Sequence, residues 1–386
     1  MAGIYLHVPF CRQACHYCDF HFSTSTQTAD AMADAIVREA EIRAAQTPAW
    51  TQLNMRTLYL GGGTPSLLSP DAIQSLLQGV SRALRLDLSA LDEVTLEANP
   101  EDLTPDRLEA WLHAGVNRLS IGIQSFHNDT LEWMNRAHTG QEAEDGVRRA
   151  HAAGFDNMTV DLIYGVPTSR DWKDDVDRAL SLPVSHMSAY ALTVEPQTVL
   201  GIRVERGQQA EPSDSRTVDE YHHLCKAMKA RGWSHYETSN WAAPRDHAFA
   251  WAQHNSAYWA GDPYLGLGPG AHGFLAPTRY ANVSNNPRYL KAIQQGRMDV
   301  TEEALSTVDR YNERIMTGLR TARGISLTEL ENDLRLRPDE MEPQAWADAL
   351  AQGDLVSTPD GRYRIPETRW ITGDRVASTL FHVGAL

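Results

Sequence analysis

The chain has 386 residues, 42% of them hydrophobic and 22% charged, a balance ordinary for a globular enzyme and too apolar for a disordered chain. Its 35 basic residues face 50 acidic ones, and the net charge of −15 argues against a nucleic-acid backbone as partner. No run of about eighteen apolar residues predicts a membrane span, and the opening Met-Ala-Gly-Ile-Tyr-Leu-His-Val shows no signal-peptide pattern, so a cytoplasmic location is expected.

Short β-rich runs at Ile4–Val8, Thr57–Leu60, Val94–Ala98, Leu119–Ile123, Thr159–Ile163 and Met187–Leu192 are nearly continuous in apolar residues. That pattern predicts strands covered on both faces of a parallel sheet. Ser69-Pro70 ahead of Ile73, Leu76, Leu77, Val80 and Leu84 reads as a helix with an N-cap and a first-turn proline; Thr104-Pro105 ahead of Leu108, Trp111 and Leu112 reads likewise. Six strand–helix units in some two hundred residues predict an α/β fold, either a closed barrel or a partial (β/α)6 TIM-like barrel.

After about residue 195 the rhythm stops. Residues 201–216 form a polar connection, a helix is expected near 214–231, and a segment dense in glycines and aromatics follows: Trp233, Tyr236, Trp241, Trp251, Tyr258, Trp259 and Tyr264. The final stretch predicts helices and then a hairpin turning at Asp360-Gly361. Helices with a hairpin would suit a winged-helix reader of DNA, but residues 301–386 hold 15 acidic and 10 basic residues, which favours a structural or docking module. The expected organisation is residues 1–200 as the barrel, 201–290 as an aromatic and glycine-rich extension, and 291–386 as a smaller C-terminal α+β domain.

Four cysteines are too few for a disulfide scaffold, and three of them, Cys11, Cys15 and Cys18, crowd together just after the first strand. There they lie on a loop at the strand's C-terminal end, the face of such barrels that carries chemistry. Three thiols on one short loop approach a metal from one side and leave a position open. Zinc would take its fourth ligand from His16, Asp19 or His21; an iron–sulfur cube would keep one iron free for a substrate or cofactor. Spacing alone leaves both open. Cys225 shares a predicted helix face with Val218, Tyr221 and Met228 and reads as a small apolar core residue. Gly61 to Thr64, Glu97, Gln124 and Asp161 each fall at or just past the end of an apolar run. Singly they read as turn glycines, a helix cap or solvated loop carboxylates; repeated at four strand ends, they point to convergence on one barrel mouth.

The stretch Tyr5-Leu-His-Val-Pro-Phe-Cys11-Arg-Gln-Ala-Cys15-His-Tyr-Cys18-Asp-Phe resembles the cluster loop of radical S-adenosylmethionine (SAM) proteins. Gly61-Gly-Gly-Thr-Pro-Ser, Glu97-Ala-Asn-Pro, Gly122-Ile-Gln-Ser-Phe, Asn135-Arg-Ala-His and Asp161-Leu-Ile-Tyr-Gly-Val-Pro follow in order. The likeness to the branch of oxygen-independent coproporphyrinogen dehydrogenases and HemW-type heme chaperones runs from residue 3 to beyond residue 320. It implies a 4Fe–4S cluster on Cys11, Cys15 and Cys18, with SAM chelated to the open iron and cleaved by cluster electrons to a 5′-deoxyadenosyl radical. It further implies that Gly62, Gly63 and Thr64 admit the methionine amino end closely, since glycine has no Cβ. Glu97, Gln124, Arg136 and Asp161 match positions supplying ribose and charge contacts, Tyr5 a position beside the methionine moiety. Tyr17 would either flank the adenine or shield the cluster.

Two departures separate members of that branch. The dehydrogenases look like Cys-x3-Cys-x2-Cys-x-Cys, whereas Phe20 stands at the last of those places here, and they carry an extension before the first strand. Both differences put coproporphyrinogen dehydrogenase activity in doubt. His254-Asn-Ser-Ala-Tyr258-Trp259 resembles the His-Asn-x-x-Tyr-Trp motif that links HemW-type chaperones to heme; an imidazole ligates heme iron and aromatics suit a porphyrin face. The plainer reading is a hydrogen-bonded loop histidine with core aromatics, and His272 in Pro-Gly-Ala-His-Gly is a reserve candidate. The expected function is a heme chaperone that delivers heme to cytochrome-type acceptors and draws on an electron donor for its cluster. Any membrane link would come through a protein partner, and the aromatics of 233–264 could serve a heme pocket, a homodimer contact or core. The alternative is a radical SAM enzyme acting on a porphyrin as dehydrogenase or methyltransferase.

Overall fold

The computed structural model describes residues 1–245 and 248–384. The six expected runs form β1 (Ala2–Val8), β2 (Met55–Gly62), β3 (Glu93–Ala98), β4 (Arg118–Gln124), β5 (Met158–Tyr164) and β6 (His186–Ala191), paired in parallel in that order. Helices α1 (Ala29–Gln46), α2 (Pro70–Leu84), α3 (Pro105–His113), α4 (Asn128–Trp133), α5 (Gly140–Ala153) and α6 (Trp172–Ser181) lie in the crossovers. The α2 start is as read: the Ser69 hydroxyl accepts the Ala72 N–H and Pro70 follows. Thr104 precedes α3 but makes no side-chain cap bond.

Alternation along the strands divides two environments. Ile4, Leu6, Leu58, Leu60, Leu96, Leu119, Ile121, Val160 and Leu162 are wholly buried in one apolar core with helix residues such as Ile36, Ile73 and Leu77. The other face is polar, carrying Tyr5, Thr57, Tyr59, Glu97, Ser120, Thr159, Asp161 and Ser188. The strands are therefore apolar on the helix side only. Their interior is kept for polar groups that bond to one another, such as Tyr59 with Glu97 and Ser120 with Asp161.

Beyond β6 come α7 (Val199–Glu205), α8 (Asp214–Ala230) and the hairpin β7 (Ser234–Glu237) and β8 (Asn240–Ala242), which adds antiparallel to β6. A short ladder, β9 (Pro244–Arg245) with β10 (Ala248–Phe249), leads to α9 (Gln253–Ala260). The chain then returns to the opposite edge: β11 (Tyr264–Leu267) pairs parallel with β1, and β12 (His272–Leu275), β13 (Thr278–Asn282) and, after α10 (Asn286–Gln294), β14 (Val300–Ala304) follow antiparallel. The result is one sheet of twelve strands, extended on both sides of the six-strand barrel.

The C-terminal module comprises α11 (Thr307–Leu319), α12 (Leu327–Leu334), α13 (Pro338–Met341), α14 (Pro343–Ala351), the hairpin β15 (Val356–Ser357) and β16 (Tyr363–Arg364), and α15 (Gly373–Thr379). It has its own core of Tyr311, Ile315, Leu319, Leu330, Trp346, Trp370 and Leu380. The expected turn at Asp360-Gly361 lies between β15 and β16, with Gly361 at φ +78°. No helix among the described residues is long and apolar enough to cross a membrane.

Candidate cofactor and metal site

The cysteine loop follows β1 and is closed at its base by two backbone bonds: Cys11 N–H donates to the Ser23 carbonyl at 3.0 Å, and Ser23 N–H to the Pro9 carbonyl at 2.8 Å. A turn brings Cys18 N–H to the Cys15 carbonyl at 3.3 Å. All three thiols are half-buried. Two of the three candidate zinc ligands are committed elsewhere. His16 Nδ1 lies 2.8 Å from the Trp133 carbonyl, and His21 Nε2 lies 2.8 Å from Asn286 Oδ1.

The end of β2 is fastened to this loop from below. Gly63 N–H donates to the Val8 carbonyl at 3.0 Å, Thr64 N–H to the Phe10 carbonyl at 2.6 Å, and the Thr64 hydroxyl to Cys11 Sγ at 3.7 Å. A Cβ on Gly63 would stand 2.6 Å from the Phe10 carbonyl oxygen, so only glycine allows the approach. Arg136 closes the loop from the β4 side: Nη1 donates to Cys15 Sγ at 3.4 Å, and Nη2 to Asn99 Oδ1 and the Gly122 carbonyl, both at 2.7 Å. Asn135 holds a left-handed φ of +59° and donates to the Ala14 carbonyl at 2.7 Å.

Two carboxyl groups face the barrel interior beneath the loop. Glu97 accepts the Tyr59 hydroxyl at 2.8 Å and Gly62 N–H at 3.1 Å; burial nevertheless pushes its carboxyl up to about 7. Asp161 accepts the Ser120 hydroxyl at 3.3 Å and is pushed up to about 6, again by burial. It sits in the middle of β5 rather than at its end, paired with Gly122 and Ser188. Gln124 ends β4 at a bulge with φ +69°, a device that re-aims a side chain at a strand end. Tyr5 stacks on Tyr59 at 6.1 Å and reaches His7 Nδ1 at 3.2 Å, while Tyr17 packs against Met134, Ile163, Val166, Leu192 and Leu200 beside Cys15.

The donor set suits a cluster and a polar cofactor. Burial raises the Cys11 and Cys18 thiols to about 11, so these two stay neutral in the free loop and a bound cation is what would draw off their protons. Asp161 Oδ1 and Arg136 Nε are buried without hydrogen-bond partners, an acceptor and a donor left over for a bound molecule. Asn99 and Asn135 are contributors not singled out from sequence, although both fall within the motifs Glu97-Ala-Asn-Pro and Asn135-Arg-Ala-His.

The Radical SAM superfamily model matches residues 5–179. The heme chaperone HemW of Lactococcus lactis is 36% identical over 334 residues, covering 86% of this chain and 84% of its own. The HemW of Bacillus subtilis is 32% identical over 380 residues, covering 97% and 98%. The chain belongs to the HemW family of radical SAM proteins. Membership implies a 4Fe–4S cluster and SAM as cofactors. The coproporphyrinogen III oxidase HemN of Escherichia coli, a radical SAM enzyme, superimposes with a TM-score of 0.83 at 19% identity over 98% of this chain and 90% of that one, so the two share a fold.

Phe20, at the place of the dehydrogenases' further cysteine, is 69% exposed beside the loop. In this HemW-family chain the His254 motif forms α9 rather than a loop and lies away from the cysteines. His254 is wholly buried against Gly3 at the start of β1, and the cysteine loop begins past its end, roughly 17 Å away at the rise of a strand. Its Nδ1 meets Thr57 Oγ1 and its Nε2 the Tyr258 hydroxyl, both at 2.8 Å. Burial lowers the imidazole to about 3, so it is neutral with both nitrogens engaged. The ring stacks on Tyr59, which reaches Glu97. Glu93 caps α9 by accepting the Gln253 and His254 N–H groups at 2.8 and 3.1 Å. His272 is exposed at the start of β12.

Proposed function

We propose that the chain binds heme and passes it to cytochrome-type acceptor proteins, on a scaffold in which Cys11, Cys15 and Cys18 hold the cluster and Gly62, Gly63, Thr64, Glu97, Gln124, Arg136 and Asp161 receive SAM. The cluster would supply electrons and an open iron to the cofactor. Arg136 offsets thiolate charge at Cys15, the Gly63 approach fixes the floor beneath Cys11, and the half-buried Tyr5 and Tyr17 limit water on either side. What supports the heme reading, beside the family, is a cavity of about 530 Å³ between α9 and the C-terminal module. That size suits a cofactor pocket. Trp251, Trp259, Ile325 and Leu330 give it apolar walls, Arg314 and Arg323 give it cations for carboxylates, and the Trp259 indole N–H is buried without a partner. His254 is then a positioning residue: it ties α9 to β2 through Thr57 and so sets Trp259 in the cavity wall.

The test is anaerobic cluster reconstitution followed by heme titration and a coproporphyrinogen assay on the same sample. Expected are stoichiometric heme binding, no porphyrin product, and an affinity about tenfold weaker in Trp259→Ala with cluster content unchanged. His254→Ala should weaken heme binding, with rescue by His254→Gln, which keeps hydrogen bonds. Turnover of coproporphyrinogen would sink the chaperone reading, and loss of binding in His272→Ala but not in Trp259→Ala would move the heme to the other end of the barrel.

A further inference from the structure

A second group of metal-ligand side chains lies away from the cysteine loop, where the barrel meets the C-terminal module. Cys225 from α8, His235 from β7 and Glu367 from the 3-10 turn Glu367–Thr372 each bring one ligand atom to within 4.8 Å of the others. His235 is clamped, stacked on Trp241 at 4.0 Å and met edge-on by Trp370 at 4.4 Å. Its Nε2 faces the Thr238 carbonyl at 3.3 Å and its Nδ1 faces Glu367 Oε1 at 3.0 Å. Both neighbours are acceptors, and a neutral imidazole has only one N–H to offer them. A cation at Nδ1 resolves that mismatch, and the far N–H given to a carbonyl is the usual support of a metal-bound histidine. The Tyr221 hydroxyl is buried beside Cys225, placed to donate to its sulfur and to favour the thiolate. Glu367 is 43% exposed, which leaves the group open to solvent on that side.

We propose that Cys225, His235 and Glu367 bind a divalent cation of the zinc class. The mixture of sulfur, nitrogen and oxygen donors selects a borderline-soft ion over magnesium or calcium, and water completes the tetrahedron. On binding, the Cys225 thiol releases its proton to solvent and nothing is oxidised or reduced. Because the three donors belong to α8, to β7 and to the module's turn, the ion acts as a clasp between barrel and module.

The test uses the full chain with its cluster assembled, so that the loop cysteines are already engaged. Zinc is titrated against a chromophoric chelator, and Cys225 alkylation is followed by mass spectrometry. The wild type should take one further equivalent of zinc, gain thermal stability with it and lose Cys225 alkylation. Cys225→Ala should bind about a hundredfold more weakly and Glu367→Gln about tenfold. If Cys225→Ala does not fold, the exposed Glu367→Gln and the alkylation readout still decide. Wild-type zinc affinity in Glu367→Gln together with Cys225 alkylation unchanged by zinc overturns the proposal.

Discussion

Gly63→Ala tests whether the cysteine loop depends on the close approach of β2. The added Cβ would stand 2.6 Å from the Phe10 oxygen, 2.8 Å from the Phe10 nitrogen and 2.9 Å from the Val8 oxygen. All three are backbone atoms, so no side chain can rotate out of the way, and either the end of β2 or the base of the loop must move. Overpacking of this kind costs about 1–3 kcal/mol. The two backbone hydrogen bonds across the junction, Gly63 to Val8 and Thr64 to Phe10, add about 1 kcal/mol each if they are lost. The expected loss is therefore about 3–5 kcal/mol in urea unfolding of the metal-free chain, with poor cluster retention because Thr64 leaves Cys11. Gly353→Ala is the control: its φ is +70° but open space surrounds it, so only the left-handed penalty of about 1–2 kcal/mol applies. The reasoning is refuted if Gly63→Ala is no less stable than Gly353→Ala and retains full iron content.

Two further outcomes follow from buried charge. The folded Glu97 carboxyl keeps its proton to about pH 7, against an ordinary value of 4.5, so the folded chain binds more protons across that window and this group's contribution falls as pH rises through it, by about 3 kcal/mol, then levels off. Glu97→Gln should remove that slope from urea unfolding measured at several pH values; an identical slope in variant and wild type would contradict the assignment. Arg136→Met removes a cation and a hydrogen bond from Cys15 Sγ and should shift the cluster's reduction potential to more negative values in an electron-paramagnetic redox titration, since charge and hydrogen bonds at sulfur set such potentials.

The barrel was legible because each of its strands carries its own apolar run, and because Ser69-Pro70 and Asp360-Gly361 are local signals with local consequences. The cysteine tripod and its motifs were legible for the same reason. What escaped was long-range. Tyr264–Leu267 is only four residues long with a glycine inside, and its parallel pairing with β1 joins positions at opposite ends of the first 267 residues. The helix around His254 was hidden because Ala252 offers no capping side chain; the cap comes from Glu93, on a strand far away in sequence. Cys225 does pack against the barrel core as its helix face suggests, but nothing in its own helix announces that His235 and Glu367 fold back beside it.

A sheet of twelve strands that never closes on itself has two rims, and each is guarded differently. At β14 four of the five residues are exposed and two are glutamates, so pairing with a second copy through Glu302 and Glu303 would set like charges side by side. At β7 the rim is covered instead: Ala322 N–H donates to the Tyr236 carbonyl at 2.9 Å and Thr238 N–H to the Arg320 carbonyl at 3.0 Å. The C-terminal module thus occupies the hydrogen-bonding positions that an incoming strand would seek. A chain in which that module has come loose presents β7 as a template for aggregation, so solubility depends on the last eighty residues or so.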